Sequence, residues 1–349
     1  MPFASTVIIG AGQAGLSLAW HLAQDNLRYL LVEAAPQLGH SWRCRWDSLK
    51  LFSPSQYDSL PGMPFPAPAD TYPTKDQVAD YLTAYAERHA FPVLTSTSVT
   101  RLVPYDGGFA AHTSQGVLRA RQVVVATGAF QHRQVPEVST EFSTGLPQLH
   151  SSDYHNPGSL PEGPVLVVGA GNSGLQIAEE LVASRPVVLA AGAGPLALPQ
   201  RLAGHDLFWW LIKLGLMDKP ADSWLGRRVR ARGDLVIGTD RRQLQRQGVQ
   251  MRPRLVSADG NTAHFADHSS AEVKAVVWAT GFRFDYSWID APVCGPDGRP
   301  ELDEGGSSVS GLWFLGLPWQ RNRGSSLLGF VHRDAALVHD RILSQLHVS

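Results

Sequence analysis

The sequence is poor in cysteine, because its 349 residues include only Cys44 and Cys294. The two lie far apart and form no C-x-x-C pair, which is the spacing of dithiol redox relays. The histidines show no H-E-x-x-H spacing, and no paired cysteines accompany them, so a zinc site has no support. A mechanism that moves electrons through a cysteine pair is therefore excluded, and no metal is expected.

The sequence also lacks an excess of charge and a long apolar run. Its 30 Lys and Arg residues balance 31 Asp and Glu residues, and no basic stripe suits a nucleic acid partner. No uninterrupted stretch of about 20 apolar residues exists, so no membrane span is expected. The first apolar run begins at once and continues into a glycine turn, which is unlike a signal peptide and favours a cytoplasmic protein.

One glycine-rich motif is present twice. The sequence VIIGAGQAG occupies residues 7–15, and VLVVGAGNSG occupies residues 165–174. Each copy follows an apolar β pattern and precedes apolar residues at helical spacing. In such a G-x-G-x-x-G turn the glycines permit the tight turn, close approach of a pyrophosphate and close packing of the helix on the strand. The chain is therefore predicted to bind two dinucleotides.

The residues after each motif distinguish the two ligands. The predicted strand at 29–32 is followed by Glu33, where a carboxylate accepts hydrogen bonds from the hydroxyls of an adenosine ribose. The corresponding strand after the second motif leads into Ala190, Ala191 and Gly192, which neither bind a 2′-hydroxyl nor repel a 2′-phosphate. NADPH is therefore allowed at the second site, but no Arg follows the strand directly, and Arg201 is the nearest candidate. We expect weak discrimination between NADPH and NADH.

Two further strands end in the same Ala-Thr-Gly turn, at residues 126–128 and 279–281. A small residue and a glycine at a strand end let the chain turn sharply beside a cofactor. Residues 74–77 read as a capping box and predict a helix from about residue 75. With about 100 to 200 residues per domain, the length favours two domains. The predicted fold class is α/β, with two nested Rossmann-like dinucleotide-binding domains.

The order of these motifs along almost the whole chain resembles that of the flavin-containing monooxygenases and their bacterial relatives. In addition to the motifs above, G-x-x-W at residues 39–42 and GLWFLG at residues 311–316 follow the family order. The resemblance implies that the first motif binds FAD, that the second binds NADPH, and that the C-terminal segment closes the FAD domain. The implied domains are 1–157 with 285–349 for FAD, and 158–284 for NAD(P)H.

The resemblance also assigns residues to the two cofactors. The implied contacts to the ADP half of FAD are Gly10, Gly12, Gln13, Ala14, Gly15, Glu33 and Val99. Those along the rest of FAD are Trp42, Ser53, Thr127, Gly128, Gly316, Ser326, Leu327 and Leu328. Those to NAD(P)H are Gly169, Gly171, Asn172, Ser173, Gly174, Arg201, Thr280 and Gly281.

The reaction that the resemblance implies is a monooxygenation. A nicotinamide would transfer hydride to flavin N5, and dioxygen would add at C4a to give a hydroperoxide that oxygenates a soft sulfur or nitrogen of a small molecule. The protein would supply position, a dry pocket and hydrogen bonds. The candidate catalytic donors are Ser53, Gln320 and Arg323, with Asn322 beside them.

Two departures from the family pattern keep an alternative open. The F-x-G-x-x-x-H-x-x-x-(Y/F/W) signature is matched by the spacing of His150 and Tyr154. The spacings from Phe142 to Gly145 and from Gly145 to His150 are each one residue longer than in the signature. The T-N-x-P stretch is replaced by LFSP at residues 51–54. An FAD-dependent NAD(P)H oxidase or reductase without oxygen insertion is therefore the alternative enzyme. A redox sensor that holds FAD without turnover is the alternative of another class.

The apolar segment 207–217 has several interpretations. It is compatible with a hydrophobic lip for apolar substrates, a contact of a homodimer, or a shallow contact with a membrane surface. We favour a helix buried between the domains, because Lys213 alone does not make a basic amphipathic anchor. The basic run at 225–232 that follows is expected to be a solvated face.

Overall fold

The computed structural model describes residues 3–192, 197–231, 235–303 and 306–348. Within them the helices are α1 (Gln13–Gln24), α2 (His40–Arg43), α3 (Lys75–Arg88), α4 (Asn172–Val182), α5 (Leu207–Lys213), α6 (Trp224–Ala231), α7 (Arg241–Arg246) and α8 (His332–Val348). Short 3₁₀ turns lie at Ser55–Tyr57, Glu137–Glu141, Pro157–Ser159 and Arg323–Ser326.

The strands of the described residues are, in chain order, β1 (Phe3–Ile9), β2 (Tyr29–Val32), β3 (Val93–Leu94), β4 (Val99–Tyr105), β5 (Gly108–Thr113), β6 (Gly116–Val125), β7 (His132–Arg133), β8 (Gln148–His150), β9 (Val165–Val168), β10 (Val187–Ala190), β11 (Ala197–Leu198), β12 (Arg201–Leu202), β13 (His205–Asp206), β14 (Val236–Ile237), β15 (Gln250–Arg252), β16 (Leu255–Asp259), β17 (Thr262–Phe265), β18 (Ser270–Glu272), β19 (Ala275–Trp278), β20 (Phe282–Arg283), β21 (Leu302–Asp303), β22 (Gly306–Ser307) and β23 (Leu312–Phe314).

The first sheet has the order β21-β22-β23-β6-β1-β2-β3, and the hairpin of β4 and β5 extends from β6. Strands β23, β6, β1, β2 and β3 run parallel to one another, whereas β22 and β5 pair antiparallel with β23 and β6. The C-terminal strand β23 pairs with β6, so residues from both ends of the chain build one sheet. Helices α1, α3 and α8 contribute to the core on one face of it. The three valines that end β6 are fully buried because Val124 faces this core, whereas Val123 and Val125 face a second core on the other side of the sheet.

The second sheet is parallel and has the order β15-β10-β9-β19-β8. Helix α4 packs on one face, and the meander of β16, β17 and β18 packs on the other. The predicted α/β class with two parallel Rossmann-like sheets is therefore confirmed. Strand β8 lies inside the range 1–157, which we predicted for the FAD domain, yet it pairs with β19 of the second sheet. The domain boundaries remain a proposal.

The two sheets are connected where the chain crosses between them. Strand β7, on the way out of the first sheet, pairs antiparallel with β20, on the way back. Helix α3 begins at the predicted capping box, in which Thr74 Oγ1 accepts from the backbone N–H of Gln77, and the Gln77 side chain accepts from that of Thr74. No helix in the described residues combines the length and apolar composition needed to cross a bilayer.

Candidate functional site

The first glycine turn lies between β1 and α1. Gly10 has a φ of +105°, and a Cβ there would lie 2.5 Å from the carbonyl oxygen of Ala126. A Cβ on Gly15 would overlap the carbonyl oxygen of Gly10. Gly12, which is the N-cap residue of α1, has only open space within 4 Å of its Cβ direction. Packing therefore requires the outer two glycines, and the middle one leaves room for a ligand at the helix N-terminus.

The second turn, between β9 and α4, repeats this construction. Gly169 has a φ of +109°, and a Cβ on it would overlap the carbonyl oxygen of Ala279. A Cβ on Gly174 would overlap the carbonyl oxygen of Gly169, whereas Gly171, the N-cap of α4, again faces open space. Backbone amides at a helix N-terminus attract anions. The residues present therefore fit a dinucleotide pyrophosphate at both turns.

Glu33 lies immediately after β2, beside the first turn. Its Oε2 accepts a 2.9 Å hydrogen bond from the backbone N–H of Ala11, and its Oε1 accepts a 3.0 Å bond from that of Ala35. The carbonyl oxygen of Glu33 accepts from Thr97, two residues before the predicted adenine contact Val99. An ionised carboxylate has about four acceptor positions, so two remain for the hydroxyls of a ribose.

The C-terminal segment closes over the first turn. A Cβ on Gly316 would lie 2.6 Å from Cβ of Ala14, so this strand end passes directly over α1. The side chain of Gln13 donates a 3.3 Å hydrogen bond to the carbonyl oxygen of Ser326. Leu328 is buried in the core that α1 shares with α3 and α8, where Trp42 of α2 also packs. The structure thus brings together these residues from both ends of the chain.

All four candidate donors have interactions within the protein. Gln320 donates to the carbonyl oxygen of Phe314 at 2.6 Å and accepts from the N–H of Leu317, which fixes the turn after β23. Asn322 caps the 3₁₀ turn that follows it by accepting from the N–H of Gly324. The third, Ser53, donates to a carboxylate, and Arg323 is buried. Gln320 and Asn322 therefore hold the C-terminal wall of the site in place.

The partner of Ser53 is Asp58, a buried acid that the sequence did not single out. The Ser53 hydroxyl donates a 2.6 Å hydrogen bond to Asp58 Oδ1. Burial raises the pKa of Asp58 to about 7; the bond from Ser53 acts against this shift, and the nearby Asp206 adds to it. A single acid in a loop carries no motif, so this pair becomes visible only through its burial.

Residues predicted to bind NAD(P)H at the second turn form hydrogen bonds with other residues of the second sheet and of the segments connected to it. The Asn172 amide donates to the carbonyl oxygen of Leu235 at 3.0 Å and accepts from the N–H of Ile237 at 3.1 Å, which joins α4 to β14. The Thr280 hydroxyl donates to the carbonyl oxygen of Gln134. The Gly281 carbonyl oxygen lies 3.0 Å from Nε2 of His150. Ser173 is half-buried at the start of α4.

The first Ala-Thr-Gly turn has a comparable arrangement. The side-chain amide of Gln131 donates to Thr127 Oγ1 at 3.1 Å and to the carbonyl oxygen of Gly128 at 2.9 Å. Its oxygen accepts from the N–H of Asp285, which follows β20. Gln131 thus ties the end of β6 to the segment that returns from the second sheet.

Two arginines are candidates for binding a phosphate at the end of β10. Arg201 is exposed on the hairpin of β12 and β13, where its guanidinium donates to the carbonyl oxygen of Gly204. Arg252, at the end of β15, instead lies directly beside Ala190 in the sheet, and its carbonyl oxygen accepts from Ala191. Arg201 is the first arginine after β10 in the sequence, whereas sheet pairing places Arg252, from the more distant strand β15, beside the end of β10.

A cavity of about 470 Å³ lies where the two crossing segments meet. Arg45 forms part of its wall, with its guanidinium carbon 4.8 Å from the ring centre of Phe130 and 5.6 Å from that of Phe282. Phe130 follows the first Ala-Thr-Gly turn and Phe282 follows the second. The cavity therefore lies between the segments that follow the two Ala-Thr-Gly turns, and exposed Cys44 also lines it.

Helix α5 shows where the apolar segment lies. Phe208 is fully buried, with its ring centre 6.0 Å from that of Phe52 and 6.1 Å from that of Phe330. The favoured interpretation, a buried helix, is confirmed for this face of α5. Leu214, just after the helix, is 59% exposed. No group of three or more potential metal ligands occurs among the residues that the structure describes.

Comparisons with known proteins agree with this geometry. Residues 7–194 match the family model described as pyridine nucleotide-disulphide oxidoreductase. The chain is 43% identical to the "Uncharacterized oxidoreductase CzcO-like" of Geobacillus kaustophilus, over 97% of this chain and 98% of that protein. It is 27% identical to the "Probable indole-3-pyruvate monooxygenase YUCCA3" of Arabidopsis thaliana, over 92% and 84%. The structure of a flavin-containing monooxygenase from Stenotrophomonas maltophilia superposes with a TM-score of 0.83 and 27% identity, and the match covers 99% of this chain and all of that one.

Proposed function

We propose that this chain, which belongs to the pyridine nucleotide-disulphide oxidoreductase family, is an FAD-dependent NAD(P)H monooxygenase. The predicted resemblance to flavin-containing monooxygenases is confirmed. The proposed reaction is oxygenation of a soft sulfur or nitrogen nucleophile on a small molecule. The observation that carries the proposal is the pair of like-built glycine turns, each with open space at a helix N-terminus.

The cofactor assignment follows from what surrounds each turn. Glu33 and the closing segment at Gly316 and Ser326 lie beside the first turn. This site would therefore hold FAD, with Glu33 at its ribose and the closing segment along the rest of the cofactor. The second turn has no acid after β10, and it would hold NADPH or NADH. When bound, FAD supplies hydride acceptance and the activation of dioxygen.

The protein's own residues would then bind, orient and shield the cofactors. The amides at the N-termini of α1 and α4 would hold the two pyrophosphates. The aromatic cluster around Phe208 includes Phe52, the residue before Ser53, and would exclude water there. The family also contains disulphide reductases, but Cys44 and Cys294 are both single and exposed, so a dithiol relay is not available to this chain. Electrons from the nicotinamide would pass outward to dioxygen or to a small acceptor.

One observation favours the oxidase or reductase as a second candidate. The Ser53 hydroxyl, in the stretch that replaces T-N-x-P, donates its hydrogen to Asp58. In this arrangement it is not free to donate to an oxygen ligand. Fewer donors at that point would favour early release of peroxide over oxygen insertion.

The test is reduction of the FAD-loaded protein by NADPH or NADH without oxygen, followed by admission of ¹⁸O₂ with a small organic sulfide. Loss of the oxidised-flavin absorbance and ¹⁸O in the sulfoxide would support the monooxygenase. Stoichiometric hydrogen peroxide without labelled product would overturn it in favour of the oxidase. Failure of both nicotinamides to bleach the flavin would leave only the redox sensor.

A further inference from the structure

Asp58 and Ser53 form a buried hydrogen-bonded pair. Asp58 is 1% exposed and Ser53 is 7% exposed. Only one carboxylate oxygen, Oδ1, is satisfied, by the 2.6 Å bond from the Ser53 hydroxyl. The other, Oδ2, is buried and has no hydrogen-bond partner among the residues that the structure describes. A buried acceptor without a donor is costly, and the cost is much greater for a charged oxygen than for a neutral one.

The groups that face Asp58 do not compensate its charge. Asp206, at the N-terminus of α5, is a second buried acid, and its charge disfavours ionisation of Asp58. On α3, Tyr81 faces the pair, but its hydroxyl donates to the carbonyl oxygen of Met63 and accepts from the N–H of Leu60. From the C-terminal segment, the backbone of Gly329 packs closely against the backbone of Tyr57 and Asp58. None of these groups is a cation, so the acid takes up a proton far more readily than a solvated one.

The pair lies at the predicted flavin site. Phe52 and Tyr57, which flank it, pack in one cluster with Leu327 and Phe330. Leu327 belongs to the turn predicted to lie along the flavin, and the residue before it, Ser326, is bonded to Gln13 of the first glycine turn. The first motif, the closing turn and the Ser53 segment are therefore parts of one continuous wall.

We propose that Asp58 is a positioning residue that sets, through Ser53, the direction in which the Ser53 hydroxyl donates. In the ionised pair, Ser53 donates to Asp58 and offers a ligand only its lone pairs. When Asp58 takes one proton from water, the carboxylic acid donates to Ser53 Oγ, and the hydroxyl hydrogen turns toward bound FAD. One proton is gained, and no bond between heavy atoms changes. This inference rests on the proposed binding of FAD but not on oxygen insertion.

The experiment records the absorbance spectrum of the FAD-loaded protein, without nicotinamide, between about pH 5.5 and about pH 8.5, a range centred on the pKa of about 7 to which burial raises Asp58. We expect a one-proton spectral transition in the wild-type protein. Both Asp58→Asn and Ser53→Ala should abolish it. The control is Ser55→Ala, because Ser55 is equally buried but donates to the carbonyl oxygen of Pro68, and this variant should keep the transition.

A second measurement needs no cofactor. The infrared spectrum of the FAD-free protein should contain a protonated-carboxyl band that titrates in the same range and is missing from Asp58→Asn. Absence of FAD binding in the wild type would refute the proposed function, and the infrared band would still test the proton on Asp58. If FAD binds but the transition is absent, or persists in Asp58→Asn and Ser53→Ala, the inference is overturned while the proposed function stands.

Discussion

The phenol of Tyr72 donates a 2.7 Å hydrogen bond to the carboxylate of Asp206, and this bond joins the loop before α3 to the N-terminus of α5. Asp206 also accepts from the backbone N–H of Phe208 at 2.7 Å and from the side chain of Gln200 at 2.8 Å. The carboxylate is buried, and three donors satisfy it. This arrangement fixes α5 so that Phe208 packs beside Phe52 next to the predicted flavin site.

Removing this donor should weaken the connection between the two parts of the chain. Burial and the bond to Asp206 raise the pKa of Tyr72 to about 12, so the phenol keeps its hydrogen at neutral pH. We expect Tyr72→Phe to lower the free energy of unfolding by about 2 kcal/mol, the usual value of a hydrogen bond to a charged group. Urea unfolding checks this, with Tyr105→Phe on the exposed face of β4 as the control. Equal effects of the two changes would contradict the role of Tyr72.

The sequence predicted the local parts of this site well. The glycine turns and the capping box at Thr74 depend on residues a few positions apart, so their pattern is visible in one dimension. Asp58 and Arg252 were missed for a different reason. Asp206, whose charge acts on Asp58, and Gly329, whose backbone packs against it, are both far away in the chain, and Arg252 reaches Ala190 only through sheet pairing. Such neighbours have no spacing that a motif could record.

The buried acid should make stability depend on pH in a direction opposite to that of most carboxylates. Because burial raises the pKa of Asp58 from 3.8 to about 7, the folded protein binds its proton more tightly than the unfolded chain. Ionising Asp58 in the folded state therefore lowers the free energy of unfolding progressively as the pH rises from about 4 to about 7. This penalty is complete above about pH 7. At about 1.4 kcal/mol per pKa unit, it amounts to at most about 4 kcal/mol.

Replacing the acid should remove this penalty. We expect the stability of Asp58→Asn relative to the wild type to be about 3 kcal/mol greater at pH 8 than at pH 5, because about two pKa units of the penalty accumulate between these pH values. The amide oxygen can still accept the hydrogen of Ser53. Urea unfolding at both pH values checks this, with Ser55→Ala as a control whose difference in stability from the wild type should not change with pH. A variant destabilised equally at both values would show that Asp58 is not protonated in the folded state.

Alanine substitutions of the middle glycines of the two turns should each weaken the binding of a different cofactor. A Cβ on Gly12 or Gly171 meets nothing within 4 Å, and both residues have φ near −80°, which alanine accepts. The added methyl group would occupy the space of a pyrophosphate. We expect Gly12→Ala to weaken FAD binding at least about 10-fold, a cost of about 1.4 kcal/mol.

Gly171→Ala should instead retain FAD and raise the KM for NAD(P)H by a similar factor. Flavin fluorescence and steady-state kinetics measure the two effects. The contrasting control is Gly15→Ala, whose methyl group would overlap the carbonyl oxygen of Gly10 and should impair folding itself. If Gly12→Ala and Gly171→Ala affected the same cofactor, the assignment of one dinucleotide to each turn would be wrong.

Arg252 should decide whether the second site recognises the 2′-phosphate of NADPH. It is half-buried at the end of β15 beside Ala190, and its Nε is buried without a hydrogen-bond partner in the described part of the chain. A guanidinium binds phosphate strongly. We expect Arg252→Ala to raise the KM for NADPH about 5-fold or more and to leave that for NADH unchanged, since a charge-assisted bond contributes about 1.5 to 3 kcal/mol.

Arg201→Ala is the matched control for this prediction, because Arg201 is exposed and its guanidinium binds within its own hairpin. It should change neither KM. The wild-type preference for NADPH should stay below about 100-fold, which corresponds to about 2.7 kcal/mol, because a single arginine beside an otherwise apolar strand end leaves NADH without a repelling group. If Arg201→Ala lowered the NADPH preference and Arg252→Ala did not, the phosphate would lie over the β12–β13 hairpin, and the assignment made from the sequence would be right.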